Sequence, residues 1–273
     1  MSQGDACLVT ILVPHYQTLD SIRICLRSLR KYTRQPYRVR VLDNGSADES
    51  IGYLRSLKWI DLVHACDSNH IWKSHYTALN KAVADVDTPC FLIMHSDTYV
   101  HDPRWLDYLL DPLRRGYAGV GPRHQRIPVR TPGWTVLAGL QSLRARKWKP
   151  GVPIVRSFCA LYEVEPFRKL GCQFVTRDGE DITCEANEKL VQHGCRLMGL
   201  PAFRLSKFLF HASAVTLIAQ GTPPADRHQI AEACRQGGSY LDHHTYRRSS
   251  KMLSRFMALP STQEILSDET LDA

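Results

Sequence analysis

Several polar residues in this 273-residue chain have the types and neighbours to do chemistry. Asp97 lies just beyond the apolar run Phe91 to Met94, so a buried strand would deliver its carboxylate to a sheet edge. A carboxylate facing phosphate oxygens suits a hard divalent cation that keeps part of its water. His95, two residues earlier, is either a nitrogen ligand, which tilts preference from Mg²⁺ toward Mn²⁺, or a hydrogen-bonded structural histidine. His211 ends another short apolar run and carries the same two readings. Asp43 opens Asp43-Asn44-Gly45-Ser46 at the end of a β-branched stretch. There it can accept from an imide or amide N–H of a ligand, or from the backbone of its own turn. Glu180-Asp181 stands before a helical segment closed by His193-Gly194. A carboxylate so placed can take the proton of an attacking hydroxyl, or complement the helix dipole.

Alternating elements must position these groups. Leu8 to Pro14 is a continuous aliphatic run, as in a strand buried on both faces. Thr18 and Asp20 can cap the helix that Leu19, Ile22, Leu26 and Leu29 mark at helical spacing. A strand at Val39–Leu42, a helix from about Ala47, a strand at Ile60–His64, a helix at Lys73–Val83 and a strand at Cys90–Met94 come next. This alternation predicts an α/β fold, a doubly wound and mainly parallel sheet flanked by helices, with ligands beyond the strands' carboxyl ends. Asp102-Pro103 then predicts a helix start, reaching about Arg115. Prolines at 122, 128, 132, 150 and 153 predict a long irregular loop over 122–153, with one helix at Thr135–Lys147. A strand is expected at Ile154–Tyr162, helices at Pro166–Leu170 and Ile182–His193, and strands at Arg196–Leu200 and Lys207–Phe210.

The formal charge of +8 is unevenly spread. No acidic residue occurs between Asp111 and Glu163, while those 51 positions hold ten lysines and arginines. Such a field attracts an anion, whether phosphate, nucleic acid or a lipid surface, or is a solvated basic face. Nine cysteines without a Cys-x-x-Cys pair argue for reduced thiols and against a zinc ribbon or disulfide framework. No apolar run is long enough to span a membrane, and the N-terminus has no leader pattern. The expected location is therefore the cytoplasm, with peripheral contact to the inner membrane surface open to the basic segment 114–156. Gly119-Val120-Gly121 lacks the third glycine of a dinucleotide fingerprint, which falls on His124. Asp242-His243-His244 reads as surface, because adjacent helical histidines face apart.

The segments Val9 to Tyr16, Val41 to Asp48 and Ile93 to Asp97 resemble the opening of family-2-like glycosyltransferases of the GT-A fold. Phe167 to Phe174, Gly179-Glu180-Asp181 and Phe210-His211 resemble that family's acceptor-side helix, acidic pair and late histidine. The resemblance spans roughly residues 7 to 215. It implies a nucleotide-sugar-binding catalytic domain over 1–215 and a helical C-terminal extension over 216–273. It also implies an inverting transfer from a nucleoside-diphosphate sugar to an acceptor hydroxyl, with a divalent metal, Mn²⁺ or Mg²⁺, as cofactor. The implied donor-side residues are Pro14, His15, Tyr16, Asp43, Asn44, Ser46, Asn69 and Ser96. Asp97, His95 and His211 are the implied metal ligands, and Asp181 is the base, with Glu180 beside it. The family's motif is Asp-x-Asp, and His95 stands at its first position. The stretch from the acidic pair to Gly194 is also about two residues longer than the pattern, which leaves Asp178 and Glu180 as rival bases.

The implied acceptor is a cell-surface glycan or glycolipid precursor. The basic segment keeps a second class open, an anionic acceptor such as a lipid phosphate or DNA carrying hydroxymethylated bases. Arg144, Arg146, Lys147 and Trp148 interleave a ring with cations and are the candidate acceptor-binding residues. A rival from another class is an inactive module that binds sugar nucleotides or nucleic acid, which His95 favours and Asp97 disfavours.

Overall fold

The computed structural model describes residues 9–64, 71–128, 151–175, 181–215 and 242–273, together with 218 and 226. Strands β1 (Val9–His15), β2 (Tyr37–Asp43), β3 (Ile60–His64) and β4 (Cys90–Met94) alternate with helices α1 (Leu19–Tyr32), α2 (Ser50–Ser56) and α3 (Ile71–Ala84). They are followed by β5 (Thr98–Val100), α4 (Trp105–Arg114), β6 (Gly119–Pro122), β7 (Cys159–Glu163), α5 (Val164–Lys169), α6 (Cys184–Gln192), β8 (Leu197–Leu200), α7 (Ala202–Leu205) and β9 (Leu209–His211). Helices α8 (His243–Met257) and α9 (Pro260–Ser267) lie near the end of the chain.

Seven strands form one sheet in the order β3-β2-β1-β4-β7-β6-β8. Every neighbouring pair is parallel except the two that β7 makes, with β4 and with β6. The fold is therefore the mainly parallel α/β sheet that the alternation of elements implies. The chain winds from β1 out to β3, then returns to place β4 on the other side of β1. The crevice at that reversal lies beyond His15 and Met94, where open sheets of this kind bind ligands.

The sheet is buried on both faces. Val9, Ile11 and Val13 enter one core with α1 and α4, while Leu12 enters a second with α3 and α5. In β4, Leu92 and Met94 join the first core and Phe91 and Ile93 the second. This period-2 division between two apolar layers is why these strands read as unbroken hydrophobic runs. Phe256 of α8 and Ile265 of α9 belong to the first core, so the end of the chain packs against the same layer.

Several boundaries differ from the sequence reading for local reasons. Helix α4 begins at Trp105, because Asp102 closes a turn by accepting from Arg104 N at 2.9 Å. The strand expected from Ile154 starts only at Cys159. The carbonyl of Val155 accepts from Thr183 Oγ1 and Asn187 Nδ2, and Arg156 N donates to Pro122 O, so these groups are held off the regular ladder. Thr18 does not cap α1 through its side chain; its hydroxyl bonds the Gln17 carbonyl, and both residues adopt positive φ. Gly119-Val120-Gly121 is strand β6. A Cβ on Gly119 would lie 2.6 Å from the Tyr162 ring, so the glycine serves close strand packing. The helix expected at Thr135–Lys147 lies outside the described residues.

Candidate active site

The site is assembled at the carboxyl ends of β1, β2 and β4, where the buried strands stop and their polar ends begin. At the end of β4, His95 N donates to Phe158 O at 3.1 Å, and Thr98 N closes a turn onto His95 O at 2.9 Å. That turn carries Ser96 and Asp97, both buried. Directly after it, β5 pairs with β9 so that Thr98 lies opposite His211. A two-stranded ribbon thus brings Asp97 and His211 together across more than a hundred residues of sequence.

Asp97 Oδ1 lies 3.2 Å from His211 Nε2, and its Oδ2 accepts from Val215 N at 3.3 Å. The donor atoms of His95, Asp97 and His211 all fall within 4.8 Å of one another. His211 Nδ1 lies 2.8 Å from the Gln125 carbonyl, which can only accept, so the Nδ1 proton is fixed there. The Nε2 lone pair is then left for Asp97's side, where either a second proton or a cation must separate two acceptors. The ring of Phe158 stacks on the His211 imidazole at 3.8 Å and 5°. Burial alone would raise the Asp97 carboxyl, but the His211 charge and hydrogen bond, His95 and the Val215 N–H outweigh it and hold the pKa near 2. Burial pushes the His95 imidazole down to about 4 against the pull of Asp97. Near neutral pH this pairing is an ionised carboxylate beside a neutral imidazole, the forms that ligate metal. Two imidazoles and a carboxylate, with the Nδ1–H of one anchored to a carbonyl, fit a divalent cation that keeps open positions.

The β1–β2 side carries the candidate donor residues. His15 lies opposite Asp43 in the parallel register, and Asn44 N donates to His15 O at 2.9 Å. Asp43 is buried and accepts from Gly45 N at 3.1 Å and from Ser46 N at 3.2 Å, so it closes its own turn. A carboxylate has about four lone-pair sites, so acceptor capacity remains. Ser46 Oγ accepts from Gln17 N at 2.7 Å and ties this turn to the β1 loop, where Tyr16 is half-buried. His15 Nε2 lies 2.9 Å from Ser50 Oγ, whose own proton goes to Asp48. The imidazole therefore carries its proton on Nε2, and burial pushes its pKa down to about 4. Its Nδ1 is a buried acceptor without a hydrogen-bond partner among the described residues. Pro14 is the penultimate residue of β1 and is buried. Asn69 lies outside the described residues.

Asp181, the candidate base, is tied into the segment that precedes β7. Its Oδ1 accepts from Ser157 N at 3.1 Å and Thr183 N at 3.2 Å. Among the described residues its Oδ2 meets only Ser157 Oγ at 3.3 Å and Arg156 Nη1 at 3.7 Å. Ser157 and Phe158 therefore link Asp181 to His95 and His211 by consecutive residues. Nothing in the sequence singles out either one, since both sit in a basic, proline-punctuated stretch. Glu180, Arg144, Arg146, Lys147 and Trp148 lie outside the described residues. Two left-handed pairs of non-glycine residues also flank the crevice, Gln17-Thr18 and Ser213-Ala214. Such conformations cost roughly 1–3 kcal/mol each and persist only where the surroundings enforce them. No described helix is long and apolar enough to cross a membrane.

Residues 10–171, more than half of the chain, match the family model for glycosyl transferase family 2, and the chain belongs to that family. The mannosyltransferase of Pyrobaculum calidifontis, solved in complex with GDP-Man and Mn²⁺, shares the fold with a TM-score of 0.51 at 17% identity, over 96% of this chain and 79% of that one. The glucosyl-3-phosphoglycerate synthase of Mycobacterium tuberculosis, solved with phosphoglyceric acid, aligns with a TM-score of 0.47 at 16% identity, over 70% of this chain and 69% of the other. The teichoic acid poly(glycerol phosphate) polymerase of Staphylococcus epidermidis is 29% identical over 97 residues, which are 33% of this chain and 12% of that protein.

Proposed function

We propose that this glycosyl transferase family 2 member moves a sugar from a nucleoside-diphosphate donor to an acceptor hydroxyl, with inversion, using a divalent metal held by His95, Asp97 and His211. The observation that carries the reading is the mutual approach of those three donor atoms, within 4.8 Å, at the crevice where the β-strand order reverses. The Pyrobaculum mannosyltransferase, which holds GDP-Man and Mn²⁺, is a protein of the same fold and supports the choice of donor and metal. When bound, the cation would supply positive charge against the diphosphate leaving group.

The chain's own residues divide the remaining work. His15, Tyr16, Asp43, Asn44 and Ser46, with Pro14, Asn69 and Ser96, form the donor side; Asp43 and the Nδ1 of His15 offer acceptors to the nucleoside. Asp181 takes the proton of the acceptor hydroxyl as that oxygen bonds the anomeric carbon and the carbon–phosphate oxygen bond breaks. Its Oδ2 is the oxygen suited to this, since Oδ1 already accepts two backbone N–H groups. The electron pair leaves with the nucleoside diphosphate, so one displacement inverts the centre and no covalent enzyme intermediate is required. A cell-surface glycan or glycolipid precursor is the base reading for the acceptor.

The test is Asp97→Asn, followed as nucleoside-diphosphate binding with and without Mn²⁺. An amide cannot supply the carboxylate's charge, so the metal-dependent gain in affinity should vanish. Unchanged affinity in Mn²⁺ would remove Asp97 from the metal site.

A further inference from the structure

Two stretches of the acid-free segment, around Arg123 and Arg156, meet each other, and Arg156 lies beside Asp181. Arg123 follows the last residue of β6, and its backbone N donates to Leu200 O at 2.9 Å. Its aliphatic stem lies across Gly199: a Cβ there would meet Arg123 Cγ at 2.6 Å and the Ile154 carbonyl at 2.5 Å. The glycine thus leaves room for the arginine stem. Arg156 N donates to Pro122 O at 2.9 Å, which sets this second arginine next to the first in the backbone. The Arg156 guanidinium reaches Asp181 only at 3.7 Å, and its Nε–H is buried without a hydrogen-bond partner among the described residues. His124, between them in sequence, accepts at Nδ1 from Ala202 N at 3.4 Å, which leaves Nε2–H as a donor. Burial, then the charges of Arg123 and Arg156, lower the His124 pKa, so the three groups share one neighbourhood.

Two arginines and a histidine are thus neighbours, and one of the guanidinium groups, that of Arg156, lies 3.7 Å from a single carboxylate, Asp181. No acidic residue occurs in the 51 positions between Asp111 and Glu163, and among the described residues the one carboxylate within ion-pair distance of any of the three is Asp181, through Arg156. A buried guanidinium N–H without an acceptor is costly unless a ligand supplies one. Planar guanidinium groups match the oxygens of phosphate and carboxylate. We propose that Arg123, His124 and Arg156 form a subsite for an oxyanion, phosphate or carboxylate, that the acceptor carries close to the hydroxyl facing Asp181. This assignment rests on the glycosyl-transfer reading for its meaning, and it makes the acceptor an anion.

Ligand-observed NMR titration of the full chain with glycerol 3-phosphate, glycerate and glycerol tests it. Saturable binding is expected for at least one of the two anions and none for glycerol, and the anion preferred tells phosphate from carboxylate. Arg123→Met, which keeps the stem over Gly199, and Arg156→Gln should each weaken that binding at least tenfold, while Arg123→Lys should weaken it less. Thermal unfolding of each variant keeps the comparison among folded proteins. If Arg156→Gln loses cooperative unfolding, Arg123→Met decides alone. The subsite is overturned if neither anion binds saturably, or if the folded variants bind as the wild type does. Nucleoside-diphosphate binding to the wild type in Mn²⁺ is read in parallel. Its absence would sink the glycosyl-transfer reading and leave the anion result standing, whereas its presence without anion binding would sink the subsite alone.

Discussion

The Phe158 ring lies flat against the His211 imidazole, 3.8 Å between centroids and 5° from parallel. The same residue's carbonyl accepts from His95 N at 3.1 Å and from Thr98 Oγ1 at 3.0 Å. One residue thus orients both histidines that flank Asp97, through its ring for one and its backbone for the other.

Phe158→Ala is accordingly expected to free the His211 ring while leaving its Gln125 hydrogen bond possible. Groups that orient a ligand typically contribute 10–100-fold to metal affinity. Mn²⁺ titration followed by electron paramagnetic resonance should show a loss in that range, with the backbone contacts to His95 preserved. An unchanged Mn²⁺ affinity would mean that the ring packs against His211 without positioning it.

Asp181→Asn is expected to lower turnover by roughly two to four decades, the usual range for loss of a general base. Donor binding should persist, because the Ser157 and Thr183 backbone N–H groups can still meet the amide oxygen. Rapid-quench turnover alongside nucleotide binding separates the two effects. If Glu180→Gln is the inactive variant instead, the base is Glu180.

The strands were legible in the sequence because burial on both faces writes itself as uninterrupted aliphatic text in Val9–Pro14 and Cys90–Met94. Asp97 stood out because it lies just beyond such a run, and Asp43 because it opens the turn sequence Asp43-Asn44-Gly45-Ser46. Phe158 and Ser157 were not, since nothing in a phenylalanine after a serine tells that one will stack on a histidine 53 positions later and the other will hold an aspartate. The pairing of β5 with β9 was hidden too: both are three residues long, too short for a period to register. The clustering of Arg123 with Arg156 needed the backbone bond from Arg156 N to Pro122, although both belong to the acid-free segment that composition marks.

Acid should destabilise the fold in two stages. His15 and His95 have pKa values pushed from 6.5 down to about 4, chiefly by burial. The unfolded chain takes up protons that the folded one refuses, so their contribution is full above about pH 6.5 and is lost as pH falls toward 4. Each shift corresponds to roughly 3 kcal/mol. Asp97, held near 2 against an ordinary 3.8, contributes stability that is present above 3.8 and lost below it. Urea midpoints measured between about pH 7 and pH 4 should fall, and His15→Asn should flatten part of that slope. An equal slope in the variant would show that His15 titrates normally.

The first helix pins the end of the chain. Arg27 of α1 is buried, and its guanidinium donates to Asp272 Oδ1 at 2.9 Å and to the carbonyl of Ile265 at 3.2 Å. Tyr53 OH donates to the same Asp272 oxygen at 2.8 Å. One side chain of α1 thus satisfies the backbone at the end of α9 and the carboxylate beyond it. Arg27→Met removes every guanidinium donor at once and leaves those carbonyls and Asp272 desolvated. It should cost about 3 kcal/mol, the lower end for breaking a buried pair because the Asp272 side chain is 24% exposed. Phe256, stacked on Tyr99 at 4.6 Å and Phe210 at 4.2 Å, should keep α8 in place, so the loss should be local to α9 and the last residues of the chain. Hydrogen exchange would then rise at residues 260–273 before it rises at β5 and β9. If protection falls across the whole sheet together, the end of the chain unfolds with the core rather than ahead of it.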